Sequence, residues 1–136
     1  MCFHTIYIDR RGTMLYDNAK EVNPAMALSA DILRGYTDAI ILKQLSHGDS
    51  YGYELGKQIA IISRGGLAMK EATLYTAFRR LEGAGCIRSY WGDARSGARR
   101  RYYAITPLGL QRLSQEVETW QQTKQLISRL IEEEPS

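Results

Sequence analysis

The residues best suited to chemistry are arginines that cluster in one short stretch of this 136-residue chain. Residues 86–106 carry five arginines against one acidic residue, although the net charge of the whole chain is only +3. Guanidinium groups bind phosphate oxygens through planar, bidentate hydrogen bonds. A dense arginine cluster on an otherwise balanced chain is therefore expected of a segment that contacts nucleic acid. A solvated, charged hairpin has the same composition, so charge alone leaves both interpretations open.

Other side chains do not suggest an enzyme or a metal centre. The two histidines and two cysteines form no metal-binding spacing, and no nucleophile elbow, phosphate-binding glycine loop or isolated carboxylate pair occurs. We therefore predict no enzymatic activity, catalytic residue, metal or cofactor. A composition of 44% hydrophobic and 24% charged residues is typical of globular proteins. With no transmembrane or signal segment, we expect a cytoplasmic protein without a membrane partner.

Apolar spacing predicts three short helices, then a β-hairpin and one long helix. The predicted helices cover residues 32–45, 53–62 and 70–83, the strands residues 86–91 and 101–105, and the long helix residues 107–133. Thr106 is a suitable N-cap for the last helix, and Pro107 is a suitable first helical residue. The predicted fold class is mainly α with a small β-hairpin: a winged helix-turn-helix domain followed by a long C-terminal helix.

In such a domain the third helix enters the DNA major groove, and the hairpin wing lies on adjacent phosphates or in the minor groove. The arginine cluster falls on the predicted wing, so charge and element order indicate the same face. We divide the chain into an extension of unknown role (1–25), the winged helix domain (26–106) and a dimerisation helix (107–136). Alternation in residues 4–8 suggests a short strand, and Met26 is an alternative start of the chain.

Several motifs, in order along the chain, closely resemble the PadR family of bacterial transcriptional repressors. These motifs are Tyr51-Gly52-Tyr53-Glu54-Leu55, Ala72-Thr73-Leu74-Tyr75, Arg80-Leu81-Glu82, Gly85, Tyr90-Trp91-Gly92 and residues 99–106, RRRYYAIT. The resemblance spans residues 32–130 and is to the short form, in which a single C-terminal helix mediates dimerisation. The chain is most similar to multidrug-sensing repressors of efflux-pump genes, because Trp120 stands where those proteins carry a drug-stacking tryptophan.

Candidate DNA contacts lie on the third helix, next to it, and on the wing. Lys70 and Glu71 are in the first turn, where Lys can donate to guanine and Glu can accept from cytosine. The resemblance implies phosphate contacts for Tyr51 and Thr73, while Tyr75 is equally well explained as a packing residue. Because successive side chains of a strand point to opposite faces, we expect Arg99 and Arg101 on one face of the wing and Arg100 on the other. The candidate set is Tyr51, Lys70, Glu71, Thr73, Tyr75, Thr76, Arg80, Arg95, Arg99 and Arg100. Arg80 has the alternative of pairing with a carboxylate such as Glu82 or Glu54.

The last helix carries an apolar heptad seam. Its positions are Leu110, Leu113, Val117, Trp120, Lys124, Ile127 and Ile131, separated alternately by three and four residues. Apart from Lys124, these residues are the predicted interface of a homodimer, although packing on the first helix is an intramolecular alternative. Two-fold symmetry would present two recognition helices to a pseudo-palindromic operator duplex.

Trp120 is either a core residue of that interface or one wall of a pocket for a flat aromatic molecule. The resemblance implies the pocket, lined by Ala39, Lys43, Leu113, Val117, Trp120 and Lys124. Because Lys43 and Lys124 are cationic and no carboxylate lies between Glu118 and Glu132, we expect neutral or anionic aromatic effectors. The predicted function is a homodimeric, sequence-specific DNA-binding repressor relieved by such an effector. The alternative is a winged helix that binds a protein partner and no DNA.

Overall fold

The computed structural model describes the backbone of residues 5–8 and 14–17, and both backbone and side chains of residues 29–93 and 99–135. The predicted wing-tip contact, Arg95, lies outside these residues. The elements in chain order are β1 (Thr5–Ile8), β2 (Met14–Asp17), α1 (Ala30–Arg34), α2 (Thr37–Leu45), β3 (Ser50–Tyr51), α3 (Gly52–Ile62), α4 (Glu71–Gly83), β4 (Ile87–Trp91), β5 (Arg101–Ile105) and α5 (Pro107–Ile131).

The mainly helical fold with a small antiparallel sheet is confirmed, but the prediction of one helix over residues 32–45 is wrong. The structure divides this segment into α1 and α2. The Gly35 backbone N–H donates to the Leu33 carbonyl, and Tyr36 has the non-helical angles φ −120° and ψ −4°. Glycine is among the poorest helix formers, and the break lets the Tyr36 ring pack edge-on against Trp120, with ring centroids 5.3 Å apart.

Two strands were not expected from the sequence. β3 pairs with β5 through Ser50–Tyr103 and Tyr51–Tyr102, which gives a three-stranded sheet in the order β3-β5-β4. A two-residue strand is too short to show a period in the sequence. The strand suggested over residues 4–8 is found as β1, and its antiparallel partner β2 was missed.

The core lies between α2, α3, α4 and the sheet. The inward face of α4 is formed by Leu74, Ala77, Phe78 and Leu81, and the ring of Phe78 stacks on Tyr103 with centroids 4.0 Å apart. Because this face of α4 is fully used inside the domain, its polar face is turned outward. The larger buried side chains are Ile41, Leu42, Leu45, Leu55, Ile59, Met69, Leu74, Phe78, Leu81 and Ile87.

Helix α5 is anchored at its first turn to the junction between α4 and β4. As predicted, Thr106 caps the helix, and its hydroxyl accepts from the Gly109 N–H (3.1 Å) and donates to the Gly85 carbonyl (2.6 Å). Gly109 approaches the Cys86 carbonyl so closely that an added Cβ would lie 2.1 Å from that oxygen. The helix ends at Ile131, two residues earlier than expected.

Candidate nucleic-acid interface and effector pocket

The exposed face of α4 presents most of the predicted base and phosphate contacts. Lys70, Glu71, Thr73 and Thr76 are all exposed, and the Thr76 hydroxyl donates to the Ala72 carbonyl at 2.8 Å. Lys70 is the N-cap residue of α4, so its side chain stands at the helix end that winged helix proteins direct toward base edges.

A cleft of about 560 Å³ separates the start of α4 from the sheet. It brings together five of the predicted contacts: Tyr51, Glu71, Tyr75, Arg99 and Arg100. Burial, and then the neighbouring Glu71 carboxylate, raise the pKa of Tyr75 above its ordinary value. This tyrosine therefore remains a neutral hydrogen-bond donor at the edge of a cationic cleft.

One face of the sheet is a ladder of aromatic rings flanked by guanidinium groups. Arg100 lies over the Tyr51 ring at 4.8 Å from its centroid, and Tyr51 meets Tyr102 edge-on at 5.4 Å. Tyr102 in turn stacks on Tyr90 with ring centroids 5.6 Å apart, and Arg88 lies over Tyr90 at 5.5 Å. Stacking on rings orients each guanidinium while its N–H groups stay available to an anion.

Among the described residues, Arg99 and Arg101 lie on the opposite face of the wing. Arg99 and Arg101 both lie over the Trp91 ring, at 5.7 and 5.6 Å from its centroid, which confirms the predicted alternation. Arg101 also donates to Ser89 Oγ at 2.6 Å and pairs with Glu82 at 3.8 Å. The role of Trp91 as a platform was missed, although its period-two position opposite Arg101 was the signal that could have indicated it.

A hydrogen bond ties the wing to the loop that precedes β3. The Tyr90 hydroxyl donates to Asp49 Oδ2 at 2.6 Å, and this bond raises the pKa of Tyr90. No local pattern could have predicted it, since the two residues are 41 positions apart.

Arg80 differs from the other predicted contacts because its guanidinium is held within the domain. Its partner is Asp38 at the start of α2, and neither Glu82 nor Glu54. The hydrogen bond to Asp38 raises the pKa of Arg80. Asp38 also accepts from Arg112 of α5 at 2.9 Å. Lys70 and Arg80, at opposite ends of α4, therefore have different surroundings.

Five of the six predicted effector residues line a largely apolar, open pocket of about 550 Å³ between α1, α2, α3 and α5. Ala39, Lys43, Leu113, Val117 and Trp120 are all among its walls. Lys124 does not line it. Its Nζ instead stands 6.0 Å from the centre of the Trp120 ring.

Two features of this pocket were not anticipated. The Tyr36 ring forms a wall at right angles to Trp120, with an interplanar angle of 78°. Glu116, one turn before Trp120, also lines the pocket. Glu116 was therefore missed as an acidic group of the pocket, although its i, i+4 spacing from Trp120 places both side chains on the same face of α5. The charge around the pocket is mixed, with Lys43 and Glu116 both present.

The heptad seam is divided between two environments. Leu113 is 8% exposed and packs in the core, so the intramolecular alternative is realised at this position, whereas Leu110, Val117 and Trp120 are between 44% and 49% exposed. Beyond Trp120 the seam is open, since Ile127 is 47% and Ile131 is 77% exposed. Leu126 and Leu130 add to this uncovered apolar surface.

Helices α2 to α4, with the exposed polar face of α4 next to a cationic hairpin, define a protein of the winged helix-turn-helix, DNA-binding class. Residues 41–115 match the model of the "Transcriptional regulator PadR-like family". The chain belongs to this family of transcriptional regulators.

Solved structures are similar over almost their entire lengths. A transcriptional regulator from Clostridium thermocellum is 46% identical with a TM-score of 0.72, over 78% of this chain and 100% of that chain. A PadR family transcription regulator from Clostridium difficile is 34% identical with a TM-score of 0.63, over 71% and 99%. An uncharacterized protein from Lysinibacillus sphaericus is 42% identical over 103 residues, which is 76% of this chain and 94% of that protein.

The described residues, 5–8, 14–17, 29–93 and 99–135, contain neither a metal-binding cluster nor a membrane-spanning helix. In those ranges, no three or more His, Cys, Asp or Glu side chains come together in a way that could hold a metal ion. The helices found there are also too short or too polar to cross a membrane.

Proposed function

We propose that this protein is a homodimeric, sequence-specific transcriptional repressor whose DNA binding is relieved by a planar aromatic effector. The observation that carries the proposal is the cleft where the first turn of α4 meets the arginine-bearing wing. Glu71, a candidate for base contact, lines this cleft together with Arg99 and Arg100, candidates for phosphate contact. Lys70 precedes Glu71 as the N-cap of α4, and this arrangement suits simultaneous contact with a groove and its backbone.

A second copy of the chain is the partner that best explains the open half of α5. In a pair of α5 helices, the exposed apolar surfaces of Ile127 and Ile131 would be buried away from water. Such a pair carries two recognition helices related by two-fold symmetry. Substituting Ile127 by Asp places a charge on the seam, and we expect sedimentation to show a shift from dimer to monomer. The same substitution at exposed Gln125 is the control.

The Trp120 pocket supports effector sensing of the kind used by multidrug-responsive repressors of efflux genes. Its apolar walls and the Trp120 and Tyr36 rings favour a flat aromatic guest. Lys43 favours an anionic substituent, whereas Glu116 favours a cationic one, so charge selectivity depends on which group the guest approaches. An effector relieves repression only if it binds more tightly to the dimer that fits DNA poorly.

A gel shift on the promoter of the protein's own gene tests the DNA-binding proposal. Affinity should fall steeply as salt rises, because several phosphates release counterions on binding. The alternative, a winged helix that binds a protein partner without DNA, predicts no retained duplex at low salt. The arginine-bearing cleft favours the DNA-binding function.

A further inference from the structure

We propose that Asp38 is a positioning residue of the recognition helix and carries the state of the Trp120 pocket to α4. This inference rests on the proposed function and deepens it. The effector pocket and the DNA-facing surface lie on different elements, so relief of repression requires a physical connection between them.

The connection begins at the C-terminal half of α4. Both oxygens of Asp38 accept hydrogen bonds from Arg80, and Oδ2 also accepts from Arg112 Nη2 at 2.9 Å. The Asp38 side chain is only 17% exposed, so solvent screens these two ion pairs less than pairs on the open surface. One carboxylate on α2 thus joins α4 to α5.

The connection continues along α5 to the pocket. Arg112 Nε lies 3.9 Å from Glu116 Oε1, four residues further along the same helix. Glu116 lines the pocket together with Trp120. Arg80, Asp38, Arg112 and Glu116 therefore form a continuous chain of alternating charge from the recognition helix to the pocket wall.

The shared arginine gives this chain two arrangements. Arg112 divides its donors between Asp38 and Glu116. A guest that separates Glu116 from Arg112, as an anionic aromatic does by repelling the Glu116 carboxylate, leaves Arg112 to Asp38 alone, and Arg112 then competes more strongly with Arg80 for the same carboxylate. Arg80 is released and α4 loses its tie to α2. Binding at the pocket is thereby converted into a change in how the recognition helix is held.

The test compares Asp38→Asn with Asp31→Asn, an equivalent substitution at a carboxylate that is 90% exposed and pairs only with the neighbouring Arg34 among the contacts described. The probe is anilinonaphthalene sulfonate (ANS), which fluoresces in apolar pockets. Two quantities are measured for each variant: ANS affinity, and the Kd for the promoter duplex with and without saturating ANS. For wild type and Asp31→Asn we expect ANS to raise that Kd at least about fivefold.

Asp38→Asn should bind ANS with unchanged affinity while the effect of ANS on duplex Kd falls to less than about twofold. An undiminished ANS effect in Asp38→Asn would overturn the relay and leave the proposed function intact. If ANS binds the wild-type protein without changing its duplex Kd, the pocket and the DNA-binding surface are not coupled. Both the relay and effector relief by this probe then fail.

A ligand-free measurement covers the case in which Asp38→Asn does not fold or ANS does not bind. Glu116→Gln removes the charge that competes with Asp38 for Arg112. Although residue 116 does not contact Arg80, the substitution should therefore raise the duplex Kd about threefold by releasing Arg80 from Asp38. In an Arg80→Ala background the same substitution should have no effect. The exposed Glu118→Gln is the matched control. A Glu116→Gln change that leaves duplex Kd unaltered, or alters it equally with and without Arg80, would overturn the proposal.

Discussion

The guanidinium of Arg100 lies 4.8 Å from the centre of the Tyr51 ring. Tyr51 lies in strand β3 and Arg100 immediately precedes strand β5, and this contact places a guanidinium group at the edge of the cleft. Arg100→Ala is expected to weaken duplex binding about equally for all sequences and to reduce the slope of log affinity against log salt by about one. Tyr51→Phe retains the ring and should preserve the Arg100 contribution. Arg34→Ala, on α1, is the control and should leave the slope unchanged.

Lys70 should behave differently from Arg100 because it stands at the N-terminus of α4, the helix end that we propose contacts base edges. Lys70→Ala is expected to cost about 1–3 kcal/mol on the preferred duplex and much less on unrelated duplexes. Competition between promoter and random-sequence DNA measures this difference. A uniform loss on both duplexes would assign Lys70 to phosphate contact alone.

Trp120 should be required for ligand binding but not for DNA binding. In a Trp91→Phe background Trp120 is the remaining tryptophan of the two in the chain, so its quenching by ANS reports on the pocket. We expect Trp120→Ala to abolish tight ANS binding and to change duplex affinity by less than about twofold. Duplex affinity lost in parallel with ANS binding would mean that Trp120 stabilises the fold.

The charge preference of the pocket is tested by comparing ANS with phenylnaphthylamine, the same ring system without the sulfonate. If Lys43 sets the preference, ANS should bind several-fold more tightly, and Lys43→Gln should remove that advantage. Lys57→Gln, on the exposed face of α3, serves as the control. Equal affinity for the two probes would show that ring stacking dominates and that Glu116 offsets Lys43.

Gly109 and Gly83 form a matched pair for testing the anchorage of α5. An alanine Cβ at Gly109 would overlap the Cys86 backbone carbonyl, whereas one at Gly83 has no atom within 4 Å. Gly109→Ala should lower the free energy of unfolding by about 1–3 kcal/mol, and Gly83→Ala should raise it by about 0.5–1 kcal/mol. Urea denaturation followed by circular dichroism measures both changes.

Much of the fold could be predicted because it is encoded locally. The helical period of Leu74 to Leu81 and the cap at Thr106 are short-range signals, and both are confirmed. Features that depend on distant partners could not be predicted. The break at Tyr36 is stabilised by a ring contact with Trp120, and the pairing of Arg80 with Asp38 spans 42 residues. The two-residue strand β3 exists because β5 pairs with it, and its own sequence carries no strand signal.

The anchorage of α5 at Thr106 has a mechanical consequence. A rigid helix of 25 residues is about 37 Å long, and it is fastened at one end to the unit that faces DNA. Tilting it by about ten degrees around that fastening would carry its free tip about 6 Å. Conversely, if the C-terminal ends of two such helices were held together in a dimer, a small change in helix tilt would move the two DNA-binding domains apart by a comparable distance. That displacement would misalign them with successive turns of a double helix.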